Sequence, residues 1–292
     1  MIKVNSIDSC LQSLTISDIP GLIALSDSVG WDYNESEIRT ILSIGTVFGH
    51  KDASGTLLSS AAIIPYEDKL TSIGMVIVHP SSQGKGYGRE LMKACMASVS
   101  ADTTIMLIAT PEGEPLYKNL GFQTVDRIRK FIAERFVLEA PLQNEANDEF
   151  EIVPLEIDDF SSVIELDKAA LGSRRSHFLD ARMRQATTCL VAKNRSGKII
   201  GYGFAVQGPV NLIAGPIVAE NAVMAEHILY KLTQNHTGHV RIDVPDEQAA
   251  FHANLEQNGF TQVSHPPVMV ANADSLPRRA GTYWAIGAQI YG

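Results

Sequence analysis

Apolar residues fall at helical spacing in two early segments, "DIPGLIALSDSV" (18–29) and "NESEIRTILSI" (34–44). Each is opened by a capping residue type, Asp18 and Asn34. The period then shortens. Between Gly45 and Pro80 three apolar runs alternate with the polar turns "KDASG" and "YEDK", which predicts three strands of an antiparallel meander. A stretch with alternate glycines follows and launches a helix, "RELMKACMASV". Beyond it "TTIMLIAT" is apolar like a fully buried strand, "EPLYKNL" predicts a short helix, and "IRKFIAERFVL" (128–138) a closing strand.

The pattern breaks at "EAPLQNEANDE" (139–149), which is acidic, amide-rich and without aliphatic periodicity, as a linker is. This predicts two domains, 1–140 and 150–292. The second half repeats the outline of the first: a helix in "IDDFSSVIELDKAAL", a hairpin turning at "NRSG", a strand "VNLIAGPIV", a helix "AENAVMAEHILYKLTQ" and a strand "HVRIDVP". Its "LEQNGF" echoes "YKNLGF", so that aligning Val78 with Val218 brings Gly121-Phe122 close to Gly259-Phe260. An internal duplication follows.

Composition narrows the function. A chain of 292 residues that is 45% apolar supports sizeable cores, and a formal charge of −9 without a basic run argues against nucleic-acid capture. No stretch has the length of a membrane span, and "MIKVNSIDSC" lacks a signal-peptide core. The cysteines, Cys10, Cys95 and Cys189, are scattered without metal-ligand spacing, so a reducing cytoplasm and no metal are expected, with Cys95 a small buried side chain.

The chemistry concentrates in "VIVHPSSQGKGYGRELM" (76–92). Glycines between a strand end and a helix start either make a tight turn or bare a run of backbone N–H groups for an anion such as pyrophosphate. The string lacks the GK[ST] of a Walker A loop and the order and acid of a dinucleotide fingerprint. It also lacks the HRD and DFG partners of a kinase glycine loop.

The stretch does resemble motif A of the GNAT N-acetyltransferase superfamily, V-x-P-x-x-[RQ]-G-x-G-x-[GA], through Val78, Pro80, Gln83, Gly84, Gly86 and Gly88. "LYKNLGF" resembles the family's later Tyr-x-x-x-Gly-Phe landmark, in the same order along residues 14–138. The resemblance implies tandem α/β domains, each a twisted, mainly antiparallel mixed sheet flanked by helices, with two parallel strands splayed apart. It implies acetyl-CoA as cosubstrate. Val76, Ile77 and Val78 would then pair with pantetheine, and the N–H groups from Gln83 through Gly84, Lys85, Gly86, Tyr87 and Gly88 to Arg89 would hold the pyrophosphate. Lys85 and Arg89 would add positive charge. Tyr117 stands at the position of the proton donor to the departing thiolate, and a phenol stays protonated at neutral pH. Thr110 replaces the family's Asn and would bond pantetheine or water.

Ser72 stands where many relatives carry a glutamate base, leaving Glu67, Asp68 and His79 as neighbouring alternatives. The second copy has no glycine in "AENAVMAEH" and places Leu255 opposite Tyr117, so it is expected to be inactive. It resembles the degenerate C-terminal domain of certain bacterial two-domain members. Trp31, Tyr33 and Asp32 in "SVGWDYNE" offer an aromatic, acidic face for an amine, or close the domain as a staple. "LGSRRSH" (171–177) reads as a basic loop, solvated or facing an anionic substrate group. The expected function is acetyl transfer to a small-molecule amine, less so a peptide, by a monomer or homodimer. The competing expectation is a non-catalytic acyl-CoA sensor.

Overall fold

The computed structural model describes residues 10–134 and 150–292, so the expected linker lies outside the described residues. The first half contains β1 (Cys10–Leu14), α1 (Ile19–Asp27), α2 (Glu35–Ile44), β2 (Thr46–Lys51), β3 (Leu57–Pro65) and β4 (Leu70–Val78). It continues through α3 (Tyr87–Ala97), β5 (Thr104–Ile108), α4 (Glu114–Lys118) and β6 (Gln123–Ala133). The second half runs β7 (Phe150–Pro154), α5 (Phe160–Leu171), α6 (Ser176–Gln185), β8 (Thr188–Asn194), β9 (Ile199–Gln207) and β10 (Asn211–Ala219). After these come α7 (Ala222–Thr233), β11 (His239–Pro245), α8 (Ala249–Gln257), β12 (Thr261–Ser264), β13 (Pro267–Ala271) and β14 (Tyr283–Ala285).

Local chemistry explains most boundaries. Asn34 caps α2 by accepting from Glu37 N at 2.8 Å, and Ile38 and Ile41 bury the helix's inner face. Asp18 does not cap α1 as expected. Its carboxylate accepts from Thr15 N at 2.8 Å and pairs with Lys51 at 2.5 Å, because a 3₁₀ turn precedes the helix. The meander appears as expected in β2–β4, paired antiparallel in order.

The duplication is visible in the topology. In each half a central strand pairs in parallel with the strand after its crossover helix, β4 with β5 and β10 with β11. The bond from Phe122 N to Tyr117 O, 3.0 Å, recurs from Phe260 N to Leu255 O, also 3.0 Å.

The halves are joined by strand exchange. The sheet order is β1-β2-β3-β4-β5-β13-β6-β11-β10-β9-β8-β7. β13, from the second half, lies antiparallel between β5 and the start of β6. The rest of β6 pairs with β11, from Ile128↔Pro245 to Ala133↔Val240, and with β12. The segment expected to close the first half therefore completes the second, and it begins earlier, at Gln123. Period-2 alternation identifies a strand but not its partner.

Buried ion pairs tie the halves further. Arg182 is fully buried, bonding Glu37 of α2 at 2.8 Å and the Gly287 carbonyl at 2.6 Å. Arg175 is also buried; it grips Asp167 of its own half through two 2.8 Å bonds and reaches the first half at the Tyr66 ring, 5.8 Å from the centroid. Arg174 pairs with Glu67 at 3.0 Å and with Glu165. The "LGSRRSH" segment is thus neither a solvated loop nor an anion site, because carboxylates and carbonyls of both halves consume its donors. Among the described residues no helix is long and apolar enough to cross a membrane.

Candidate active site

β4 follows β5 only from Leu70↔Thr104 to Ile73↔Leu107 and then parts from it. The parting coincides with a bulge: Ala62 faces Gly74, but Ser60 faces Ile77, so β4 carries one extra residue. Met75 absorbs it with φ 51°, a left-handed conformation unusual for a side-chain-bearing residue. Ser60 Oγ steadies the distortion by donating to the Met75 carbonyl at 3.0 Å. Beyond Ile73, the edge of β4 that faces away from β3 has no strand partner among the described residues in Val76, Ile77 and Val78.

The glycine loop begins where that edge ends. His79 caps the 3₁₀ turn 80–82, its Nδ1 accepting from Ser81 N at 3.2 Å, which removes it from the set of candidate bases. Gly84 and Gly86 have φ 76° and 93°, and Gly86 is the residue from which α3 starts. Gln83, Gly84, Lys85, Gly86 and Arg89 are exposed, so the loop is not packed beneath the described residues. Gly88 serves packing: a Cβ there would come within 3.2 Å of Leu116 Cδ2 on α4. The first turn of α3 is anchored by His50, which stacks on Tyr87 at 4.5 Å and hydrogen-bonds Glu90 at 3.0 Å and Ser59 at 2.8 Å.

Tyr117 is 7% exposed, on the short helix whose Leu116 meets Gly88. Its ring crosses Gly113, where a Cβ would come within 2.8 Å of Cε2, so the bare backbone is what admits the ring. Burial, with Cys95 nearby, pushes its pKa up to about 12. The phenol therefore keeps its proton throughout the neutral range. Thr110 accepts from Gly113 N at 3.2 Å.

A cavity of about 230 Å³ opens at the parting of β4 and β5. Gly74, Met75, Ile108 and Thr110 form its first-half floor, with Trp31 and Tyr33 on one wall. Their ring centroids are 6.2 Å apart. Burial raises the Tyr33 pKa, so this phenol too stays neutral. The exchanged β6, β11 and the segment after β14 complete the lining, through Lys130, Arg241 and Gln289. These three escape the sequence reading. Only the i, i+2 spacing of Arg241 and Asp243 in "VRIDV", which puts both on one strand face, hints at them.

Three other expected positions turn away from this chemistry. Ser72 is 1% exposed, and its Oγ donates to the Ile290 carbonyl at 2.7 Å. Glu67 bonds Arg174 and Ser176, and Asp68 accepts from Arg174 N at 3.0 Å, so both turn residues bind the halves together. Glu37 does border the cavity. Burial would raise its pKa, but Arg182 and Gln185 outweigh that and hold it below the usual range.

The second half has the same parting and fills it. β10 leaves β11 after Ile213↔Arg241, again at a bulge, between Ala214 and Ile217. There β14 pairs with β10 at Ile217↔Ala285 and Val218↔Tyr283, while Ile286 N donates to the Asp243 carbonyl at 2.9 Å. The chain's own backbone occupies the edge that stays open in the first half. In place of a glycine loop, Asn221 caps α7 directly, accepting from Met224 N at 2.9 Å.

A parted strand pair, a glycine loop at a helix start and a buried tyrosine, set on this twice-repeated fold, define an acyltransferase of the GNAT class. The chain belongs to the GNAT acetyltransferase family: two models described as acetyltransferase (GNAT) domains match residues 45–137 and 163–285. It is 34% identical over 275 residues to the uncharacterized N-acetyltransferase YitH of Bacillus subtilis (strain 168), covering 94% of this chain and 95% of that one. Among solved structures, a candidate acetyltransferase from Pyrococcus horikoshii superposes with a TM-score of 0.79 at 22% identity, covering 100% of this chain and 99% of its own. A tandem GNAT protein from the clavulanic acid biosynthesis pathway gives 0.69 at 13% identity, covering 92% and 100%.

Proposed function

We propose that the first half transfers an acetyl group from acetyl-CoA to a primary amine of a small molecule by direct attack, and that the second half does not catalyse. The observation that carries this is the contrast between the two partings. The edge beside the glycine loop is open at Val76–Val78, whereas its counterpart in the second half is paired with β14. On this reading Val76, Ile77 and Val78 take pantetheine as an added strand. The N–H groups from Gln83 to Arg89 hold the pyrophosphate, with the α3 dipole and Lys85 and Arg89 adding positive potential. Thr110 borders the pantetheine path.

The neutral amine forms a C–N bond to the thioester carbonyl carbon, backbone N–H groups near Val78 polarise the carbonyl oxygen, and the C–S bond then breaks. Tyr117 supplies a proton to the departing sulfur, and the proton lost by the amine balances it through solvent. The second half walls part of the acceptor cavity, which Trp31 and Tyr33 also line. A small amine rather than nucleic acid suits the formal charge of −9. The free cysteines suit a reducing cytoplasm, with the enzyme a monomer or homodimer.

The test is calorimetry with coenzyme A, followed by thiol release from acetyl-CoA across an amine panel. Binding with release for at least one amine is expected. Binding without release for any amine would leave an acyl-CoA sensor, and absent binding would end the reading.

A further inference from the structure

The wall that the second half gives to the cavity holds two cations with donor groups that make no hydrogen bond among the described residues. Lys130 of β6 sits opposite Asp243 of β11 in the register, and Arg241 lies two residues before Asp243, on the same face of the pleat. Arg241 donates Nε to Asp243 Oδ2 at 2.8 Å, with Nη2 also 2.8 Å from that oxygen, and Gln289 Nε2 donates to Asp243 Oδ1 at 3.2 Å. Both oxygens of that carboxylate are therefore engaged. Arg241 keeps its Nη1 edge without a hydrogen bond among the described residues.

Lys130 makes no ion pair or hydrogen bond among the described residues, although it is partly buried. Burial first, and the charge of Arg241 second, hold its pKa below the ordinary lysine value, against the opposing pull of Asp243 and Asp32. Asp32 is exposed and borders the same cavity, but forms no ion pair with either cation among the described residues. With both Asp243 oxygens engaged by Arg241 and Gln289, the partly buried ammonium has no carboxylate in contact among the described residues, and an anionic ligand group would give it one. The cavity, about 230 Å³, falls below the roughly 300–1,000 Å³ typical of drug-sized ligands, which fits a compact molecule.

We propose that the acceptor is a small amine that also bears a carboxylate, of amino-acid type, and that Lys130 and Arg241 receive the carboxylate. Its amine then faces Gly74 and Met75, where β4 parts from β5, and Trp31 and Tyr33 cover its remaining surface. The direction of the amine rests on the acetyl-transfer reading; the carboxylate subsite rests on the two cations alone.

The experiment compares each common amino acid with its decarboxylated amine, in two assays on the full chain. One is calorimetric binding to the protein saturated with coenzyme A, and the other is thiol release from acetyl-CoA. At least one amino acid should bind roughly tenfold or more tighter than its decarboxylated counterpart. Lys130→Met should erase that preference, and Lys130→Glu should reverse it toward the amine. Retained coenzyme A affinity in both variants shows that they fold. Preferential amino-acid binding without thiol release would uphold the subsite and overturn acetyl transfer. Thiol release that ignores the carboxylate, or an unchanged preference in Lys130→Met, would overturn the subsite and leave transfer standing. No binding by any amino acid would also overturn it.

Discussion

Ser72 donates its hydroxyl to the carbonyl of Ile290, 2.7 Å away and 218 residues later in the chain. The segment after β14 thereby seals the position at which the motif-A resemblance implies a glutamate base in many relatives. Gly74, two residues further along β4, has no room for a side chain either, since a Cβ would lie 2.5 Å from Ile290 Cγ1. The same stretch of chain thus blocks a base at Ser72 and shapes the cavity through Ala288, Gln289 and Ile290.

Replacing Ser72 tests that seal. Ser72→Ala strands a buried carbonyl and should lower stability by about 1–3 kcal/mol, with little change in turnover. Ser72→Glu, which restores the relatives' residue type, should cost more and bring no gain in turnover, because the carboxylate would face the Ile290 carbonyl out of water. Urea unfolding and thiol-release rates measure both. A faster Ser72→Glu enzyme would refute the seal.

Tyr117 and Leu255 occupy equivalent turns, each accepting a 3.0 Å bond from the phenylalanine five residues on. Tyr117→Phe keeps the ring that packs across Gly113 and removes only the hydroxyl. Turnover should fall by about 10²-fold or more with coenzyme A affinity unchanged. Leu255→Tyr should not create a second active site, since β14 remains in the neighbouring wedge. Steady-state rates paired with calorimetry decide, and equal rates in Tyr117→Phe would remove the donor.

Gly86 stands at φ 93° immediately before α3, in a conformation that a β-branched residue adopts only at a cost of about 1–3 kcal/mol. No side-chain contact explains the glycine, as a Cβ would meet only Glu90 Oε1, at 3.9 Å. Gly86→Val should therefore abolish coenzyme A binding through the loop's backbone while the rest of the sheet still folds. Calorimetry with coenzyme A, alongside circular dichroism, separates the two effects.

The motif, the meander and the repeat were legible because each depends on residues close in sequence. Gly84 and Gly86 declare their backbone by lacking side chains, and β2–β4 declare their period. Strand exchange was not legible: residues 128–133 look the same whether they pair with β5 or with β11, and only three-dimensional closure decides. Arg174 and Arg175 misled for a related reason. Their charges show in the sequence, but the Glu67, Glu165 and Asp167 groups that engage them lie on other elements. The segment after β14 carries no period, because its polar groups are satisfied one by one by Asp243, Ser72 and Tyr66.

Glu37 and Arg182 hold the two halves together across 145 residues of chain, and the pair predicts an acid-sensitive interface. The Glu37 pKa is lowered from its ordinary 4.5, because the Arg182 charge and the Gln185 bond overcome the opposing effect of burial. A carboxylate depressed in the folded state adds stability that is complete above its unfolded value, and this stability disappears as pH falls through the folded one. The excess stability of the native chain over Glu37→Gln should be flat from pH 7 to about 5 and shrink below about 4.5. At neutral pH the variant leaves Arg182 buried without its counter-charge, which should cost about 3–5 kcal/mol. Urea titrations of both proteins at pH 7 and at pH 4 measure the two gaps. A gap that stays constant, or widens in acid, would show that Glu37 does not carry the contact as an anion.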